Sequence, residues 1–327
     1  MYKSKTSGAI LLLMCYALLL SACGGGNVPN AQSSGTSSAH ANEVVAAPKP
    51  FEHSMGKIEV PANPQRIAGL YLDDHLLALG IQPAIETAGS NKHDYLKPLL
   101  GDLVQVDPAA INFEALLAAK PDLIILSHPY YAGDGKYDLF SRIAPTYVFD
   151  DGKWLNDWRG TLRILGELTA KSEEAEQFIK SYDEKVADAK QKLHAAIGEQ
   201  TAALIRVENK RIILYGGPGS YSGEVLYSDL GITPPEIVKK LAWGEKSYAE
   251  ISMETIPDLQ VDHLFITTYP NDESKKKTEE ILASELWKKL PAVKNGNVHN
   301  VSMDYWMTPG PLAFDKKVDD VLLALVK

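Results

Sequence analysis

Aromatic and cationic side chains recur where apolar runs of the sequence end, the places at which a folded chain can present them to a ligand. Tyr130 and Tyr131 follow the run Asp122–Ser127, and Tyr269 follows the run His263–Thr268. Aromatic faces and guanidinium donors bind a bulky polar ligand without reacting with it. For each aromatic ring, packing in the core is the alternative. The predicted ligand-binding residues are Tyr130, Tyr131, Arg206, Tyr215, Tyr269, Trp306 and Arg142.

Two arginines in this set have different alternatives. Arg206 lies inside the apolar run Thr201–Val207, where a charge is costly unless it has a partner. That partner is either a ligand or a carboxylate of the protein. Arg142 lies in Leu139–Ile143, and a solvated helix face explains it equally well.

The sequence carries none of the familiar catalytic patterns. It contains no Gly-x-Ser-x-Gly elbow and no His-Glu-x-x-His, and the loop Gly216–Gly223 is neither a Walker sequence nor Gly-x-Gly-x-x-Gly. The histidines lack helical ligand spacing, so neither a metal site nor a resident cofactor is expected. We expect a binding protein rather than an enzyme, with an exported, membrane-tethered hydrolase as the rival class.

The composition and charge of the chain exclude one class of binding partner. The chain has 327 residues, of which 45% are hydrophobic, enough for two compact units. Its 33 Lys and Arg against 42 Asp and Glu give a formal net charge of -9, which repels polyphosphate. Nucleic acid is therefore not an expected partner.

The first 22 residues have the order of an export signal. Lys3 and Lys5 precede the apolar stretch Ala9–Leu20, which is too short to span a membrane. Leu20–Cys23 resembles the lipobox of bacterial lipoproteins, in which cleavage before the cysteine leaves it lipidated, with palmitate among its acyl chains. Residues 1–22 are thus predicted to be a signal peptide and Cys23 a lipid anchor on the extracytoplasmic face of the cell membrane.

A plain secretory signal with an incidental cysteine is the alternative. It would leave Cys23 as an unpaired thiol, because the other cysteine, Cys15, lies inside the signal. Residues 24–50 are rich in Gly, Ser, Asn and Ala without apolar periodicity, which predicts a flexible tether over 23–50.

Short apolar runs separated by helical stretches indicate a fold of the α/β class with mostly parallel sheets. The pattern occupies 51–170 and returns over 199–327, which predicts two α/β lobes. Between them, 171–198 has apolar residues at three- and four-residue spacing, which predicts one long helix connecting the lobes. The predicted strands are Arg66–Tyr71, Leu103–Val106, Asp122–Ser127, Thr146–Phe149, Thr201–Val207, Arg211–Tyr215, His263–Thr268 and Asn297–Val301.

An internal repeat relates the lobes. Ile111–Leu126 and Ile251–Ile266 match in Ile, Glu and Asp at a constant offset. Each copy reads as a helix with a glutamate, Glu114 or Glu254, in its first turn, followed by a buried strand. The lobes are therefore predicted to be pseudo-symmetric. A favourable interaction with the helix dipole, worth about 0.3–1 kcal/mol, is the simplest role for each glutamate.

The lipobox, the paired glutamate segments, the long helix between α/β lobes and the segment Trp287–Val298 together resemble the iron-siderophore and vitamin B12 class of solute-binding lipoproteins of ABC importers. The resemblance covers about 61–327. It implies a monomer that holds a ferric siderophore in the cleft between its lobes, with Arg206 on a strand that often supplies a ligand-binding arginine. It also implies that Glu114 and Glu254 dock on arginines of the membrane permease.

Within this class, charge favours a ferric hydroxamate. A ferric tris-catecholate carries about three negative charges, and its burial would need several converging cations. Removal of the signal takes away two lysines and no acidic residue, so the mature chain is more acidic still. Catecholate or citrate siderophores, cobalamin and haem are the alternative ligands.

Overall fold

The computed structural model describes residues 47–88, 93–150, 157–244 and 246–326. The predicted signal peptide, Cys23 and the predicted tether as far as 46 lie outside these residues. In the described ranges, no helix has both the length and the apolar character needed to cross a bilayer.

The first lobe is built on a sheet of three parallel strands in the order β3-β6-β7, accompanied by a β4-β5 pair and an antiparallel β1-β2 hairpin. Leu123–Leu126 is buried along its whole length, as expected for a strand covered on both faces. The strands are β1 Lys49–His53, β2 Gly56–Val60, β3 Ile67–Leu70, β4 Glu86–Thr87, β5 Gln105–Val106, β6 Leu123–Leu126 and β7 Thr146–Val148. The helices are Asp73–Ala78, Asp94–Leu96, Lys97–Leu100, Phe113–Ala118, Pro129–Ala132, Lys136–Ser141 and Trp158–Leu168.

The long amphipathic helix is Ser172–Ile197, hereafter the connecting helix. Its buried stripe includes Ala175, Ile179 and Tyr182, at the predicted three- and four-residue spacing. Gly198, with φ of 55°, ends the helix, since glycine adopts the left-handed region without a Cβ clash.

The second lobe has a five-stranded sheet in the order β10-β9-β8-β11-β12. Three of its strands, β8, β11 and β12, are parallel and repeat the arrangement of β3, β6 and β7, with the strand of the internal repeat in the middle. The strands are β8 Ala202–Glu208, β9 Arg211–Tyr215, β10 Tyr248–Ile251, β11 His263–Thr268 and β12 Val298–Asn300. The helices are Glu224–Asp229, Glu236–Leu241, Met253–Leu259, Asp272–Ala283, Trp287–Lys289, Pro291–Lys294, Met303–Trp306 and Pro311–Leu325.

The expectation of a mostly parallel second sheet is wrong on one side. The strands β8 and β9 form an antiparallel hairpin, and β10 pairs antiparallel with β9. The cause is the two-residue turn Asn209–Lys210, in which Asn209 has φ of 52°. A turn this short can join only antiparallel neighbours.

The last helix, Pro311–Leu325, hereafter the C-terminal helix, is bound to the first lobe. Asp74 accepts the backbone amides of Leu312 at 2.8 Å and Ala313 at 3.0 Å, and also the hydroxyl of Tyr95. A carboxylate at a helix N-terminus satisfies amides that have no partner inside the helix. One buried acid of the first lobe therefore holds the end of the chain in place.

The repeated segments differ in detail. In the first, the Asn112 side chain caps the helix Phe113–Ala118 by accepting the Ala115 amide at 3.0 Å. In the second, Met253–Leu259 is a 3₁₀ helix and Ser252 makes no such bond. Both Glu114 and Glu254 are exposed in the first turn of their helices.

Candidate functional site

A cavity of about 710 Å³ opens between the two lobes. Most of its wall is formed by residues that follow or end the strands β3, β6, β8, β11 and β12, at the carboxyl ends of parallel strands. His93, Asp94 and Tyr221, the last in the loop after the antiparallel strand β9, also line it. Open α/β sheets place their ligands at such edges. We therefore take this cavity as the candidate binding site.

Tyrosines cover much of the wall. Tyr71 and Tyr131 from the first lobe have ring centroids 5.5 Å apart, and Tyr221 and Tyr269 line the second lobe's side. Tyr71 has φ of 60°, an uncommon conformation for a bulky residue. Such strained positions cluster at ligand sites, because the surrounding structure must hold the side chain where it is used.

Arg206 reaches the cavity with a carboxylate already bound to it. Its Nη2 lies 2.6 Å from Glu208, which also accepts from Arg211 at 3.2 Å. The guanidinium lies 5.5 Å from the ring centroid of Tyr215. Both alternatives raised for Arg206 therefore have structural support: it lines the cavity, and it belongs to an ion pair.

Acidic side chains converge on the first-lobe wall around Tyr95. Asp74 is buried and accepts the Tyr95 hydroxyl, while Asp304 accepts the Tyr95 amide at 2.7 Å. Burial, with Asp74 as the next cause, raises the pKa of the Tyr95 hydroxyl far above its ordinary value. Asp73 is 3% exposed and accepts the Thr87 amide at 3.1 Å.

The buried carboxyl of Asp73 predicts a pH dependence of stability. Burial raises its pKa to about 6, against the hydrogen bonds from Thr87. Because the folded-state pKa is the higher one, this group's contribution to stability is present below about pH 4 and is lost as the pH rises through about 6. A shift of about two pH units corresponds to about 3 kcal/mol.

Asp73→Asn keeps an acceptor for the Thr87 amide and carries no charge. We expect it to unfold at higher urea concentration than the wild type at pH 7.5, with a difference that shrinks toward pH 4. Urea unfolding measured across this pH range checks the expectation. A difference that is constant with pH would contradict it.

A buried lysine of the C-terminal helix positions two loops of the cavity. Lys317 is fully buried and donates to the carbonyls of Tyr221 at 3.0 Å and Thr308 at 2.8 Å. Burial holds the pKa of its amine well below the ordinary value. The C-terminal helix therefore contacts both lobes: its first amides bind Asp74 of the first lobe, and its Lys317 binds two loops of the second lobe.

The structure brings together three of the seven predicted ligand-binding residues: Tyr131, Arg206 and Tyr269 line the cavity. Tyr130 lies on the outer surface, 72% exposed. Arg142 is exposed at the end of the helix Lys136–Ser141. This position fits the alternative role, a residue on a solvated helix face.

Tyr215 and Trp306 lie in the core instead of in the wall. Tyr215 is 4% exposed, and because β9 is antiparallel, Arg211 rather than Tyr215 lies at the cavity end of this strand. Trp306 is fully buried, and its indole nitrogen donates to Asp320 at 2.7 Å. The short helix Met303–Trp306 turns Asp304 toward the cavity and the indole toward the core.

Sequence reasoning missed Tyr71, Asp73, His75, Tyr221 and Asp304. Tyr71 ends the predicted strand Arg66–Tyr71 and directly follows the observed strand β3, so the rule that found Tyr131 could have found it. Nothing in the local pattern distinguishes Asp304 from the exposed acids of the chain. No group of three or more potential metal ligands occurs in the described part of the chain.

Comparisons with known proteins support the interpretation of this cavity as a binding site. Residues 72–304 match the periplasmic binding protein family. The probable siderophore-binding lipoprotein YfiY of Bacillus subtilis (strain 168) is 31% identical, over 97% of this chain and 97% of its own length. The iron(3+)-hydroxamate-binding protein YxeB of the same organism is 26% identical, over 98% and 95%.

A solved structure agrees as well. The crystal structure of Staphylococcus aureus SirA complexed with staphyloferrin B superposes with a TM-score of 0.70 at 29% identity, covering 84% of this chain and 98% of that one. The two-lobed α/β architecture, the cavity at the facing strand ends and the match over most of the folded chain lead to one assignment. The chain belongs to the periplasmic binding protein family, whose members bind solutes for ABC transporters and are not enzymes.

Proposed function

We propose that this protein captures a ferric siderophore, preferably of the hydroxamate type, outside the cytoplasm and delivers it to an ABC permease for iron uptake. The observation that carries the proposal is the cavity of about 710 Å³ between the lobes, lined by tyrosines at the carboxyl ends of the parallel strands. An iron chelate arrives with its metal coordinated, so it needs aromatic faces and hydrogen bonds from the protein. The name of YfiY states probable siderophore binding for that relative, and the name of YxeB states iron(3+)-hydroxamate binding.

The charges of the wall favour a hydroxamate over a tris-catecholate. The lining includes the carboxylates of Asp73, Asp74, Asp94, Asp304 and Glu208. Arg206 is paired with Glu208, so a ligand with about three negative charges would meet mostly like charge. A ferric hydroxamate brings no such excess of negative charge to this wall.

A competitive binding panel tests the ligand class. Ferric hydroxamate, catecholate and citrate chelates, cobalamin and haem would be titrated against the purified protein. We expect a ferric hydroxamate to bind with sub-micromolar affinity, at least about tenfold tighter than any catecholate, which is about 1.4 kcal/mol. A catecholate that binds tighter than every hydroxamate would contradict the proposal.

We also propose that the mature protein is a monomer held at the membrane by lipid on Cys23. Globomycin, which blocks lipoprotein signal cleavage, is expected to leave a precursor about 22 residues longer, since the signal occupies residues 1–22. An immunoblot of treated and untreated cells measures this. Normal processing under the drug would return Cys23 to the plain secretory alternative.

Delivery to the permease is proposed to depend on Glu114 and Glu254. Both side chains are exposed, one on each lobe, at equivalent places before the middle strand of each sheet. Hydrogen bonding to Ser252 lowers the pKa of Glu254, so this carboxylate is charged at neutral pH. Exposed carboxylates in this arrangement fit a pair of basic partners on one membrane protein.

A further inference from the structure

Three side chains on the cavity wall have unmet hydrogen-bonding capacity in the described part of the chain: His75, Asp304 and Arg206, whose buried Nε has no hydrogen-bond partner. His75 is 1% exposed and lines the cavity, yet neither of its ring nitrogens has a hydrogen-bond partner among the described residues. Asp304 uses Oδ2 for the Tyr95 amide, but its buried Oδ1 is without a hydrogen-bond partner in the same ranges. Buried polar atoms are nearly always satisfied. The Oδ1 atom of Asp304 and the acceptor nitrogen of the His75 ring therefore point to a donor that a ligand brings, whereas Arg206 Nε is a donor and points to an acceptor on the ligand.

The charge around these atoms is negative. Asp73, two residues before His75, is buried and lines the same cavity. His93 Nδ1 lies 3.8 Å from Asp304 Oδ1, beyond hydrogen-bond distance. Arg206, across the cavity, is held by Glu208 at 2.6 Å. The wall therefore offers carboxylates whose charge the neighbouring cations do not fully compensate.

We propose, building on the ferric siderophore function argued above, that Asp73, His75 and Asp304 form a subsite for an alkylammonium group of the ligand. The substrate is then a cationic ferric hydroxamate, a neutral chelate centre with a free amine at its end. The ammonium group donates hydrogen bonds to Asp304 Oδ1 and to a ring nitrogen of His75, while Asp73 supplies a second negative charge. The tyrosines across the cavity cover the chelate.

The chemistry of His75 fits the role of acceptor. Burial lowers its pKa to about 3, so the ring is neutral and keeps one acceptor nitrogen. An ammonium group has several donors and a charge, and it satisfies an orphaned carboxylate oxygen and an imidazole together. A neutral or anionic ligand end would leave the buried carboxylates uncompensated.

The test compares two ligands that differ only at one end: a linear ferric trihydroxamate with a terminal amine, and the same chelate with that amine acetylated, which removes the charge and all but one of the N–H donors. Titration calorimetry on the purified protein is expected to show at least about tenfold weaker binding of the acetylated chelate, about 1.4 kcal/mol. Equal affinities would overturn the subsite and leave the siderophore function standing. If neither chelate binds while another ferric siderophore of the panel does, the subsite alone fails, and if no siderophore of the panel binds, the proposed function fails with it.

The variant Asp304→Asn keeps an acceptor for the Tyr95 amide and removes the charge. The Asp304→Asn variant is expected to lose most of the preference for the free amine. The control variant Glu184→Gln, on the exposed face of the connecting helix, is expected to keep this preference. Melting temperatures verify that both variants fold. If Asp304→Asn does not fold, the difference in affinity of the wild-type protein for the two chelates tests the subsite. A folded Asp304→Asn variant that retains the full preference would place the ammonium group elsewhere.

Discussion

Replacing both Glu114 and Glu254 by alanine is expected to abolish siderophore uptake while ligand affinity and melting temperature stay almost unchanged. Both side chains are exposed in first helical turns, outside the cavity lining, so their loss costs the fold little. Uptake requires both lobes to be held on the permease, so losing both contacts is expected to remove productive docking. Uptake of iron-55 chelate into cells carrying the double variant measures the effect.

The matched control separates docking from the helix dipole. Glu173 and Glu236 are also exposed glutamates in first helical turns, and they belong to helices outside the internal repeat. The double variant Glu173→Ala with Glu236→Ala is expected to transport normally. Unimpaired uptake by the Glu114 and Glu254 double variant would leave these residues with the dipole interaction alone.

Replacing Asp74 by alanine is expected to lower the free energy of unfolding by about 3–5 kcal/mol. The carboxylate is buried and accepts the amides of Leu312 and Ala313 together with the Tyr95 hydroxyl, so truncation leaves one buried and two half-buried donors unpaired. It also detaches the start of the C-terminal helix from the first lobe. Urea unfolding followed by circular dichroism gives the value.

The control for this prediction is Asp94→Ala. Asp94 is an exposed acid near Tyr95, paired with Lys97 on the surface. Exposed ion pairs contribute about 0–1 kcal/mol, so this variant is expected to remain close to the wild type. If Asp74→Ala is no less stable than Asp94→Ala, the amides of the C-terminal helix find other acceptors and the assigned role is wrong.

The sequence was sufficient for the elements whose burial is periodic or continuous. The connecting helix follows from its apolar spacing, and the strand Leu123–Leu126 from an unbroken apolar run between turn residues. The rule that ligands bind beyond the carboxyl ends of parallel strands then located Tyr131 and Tyr269 in the cavity wall. These predictions depend only on local pattern and strand direction.

Other features depend on tertiary placement. Tyr215 was expected in the cleft because it ends the apolar run Arg211–Tyr215, whereas the short turn at Asn209 makes β9 antiparallel to β8 and places that end away from the cavity. Trp306 and Asp304 lie two residues apart, and only the helical turn between them decides which faces the cavity. Asp74 is an ordinary acid in the sequence until the C-terminal helix, more than 200 residues later, brings its amides to it.

The position of iron in a crystal of the complex shows whether the cavity between the lobes binds a ferric chelate. Crystals of the protein grown with a ferric trihydroxamate would be measured at wavelengths on both sides of the iron absorption edge, which locates the metal independently of the chelate. We expect one iron site in the cavity, enclosed by Tyr71, Tyr131, Tyr269 and Arg206. Iron bound outside this cavity, in crystals where the chelate binds with sub-micromolar affinity in solution, would contradict it.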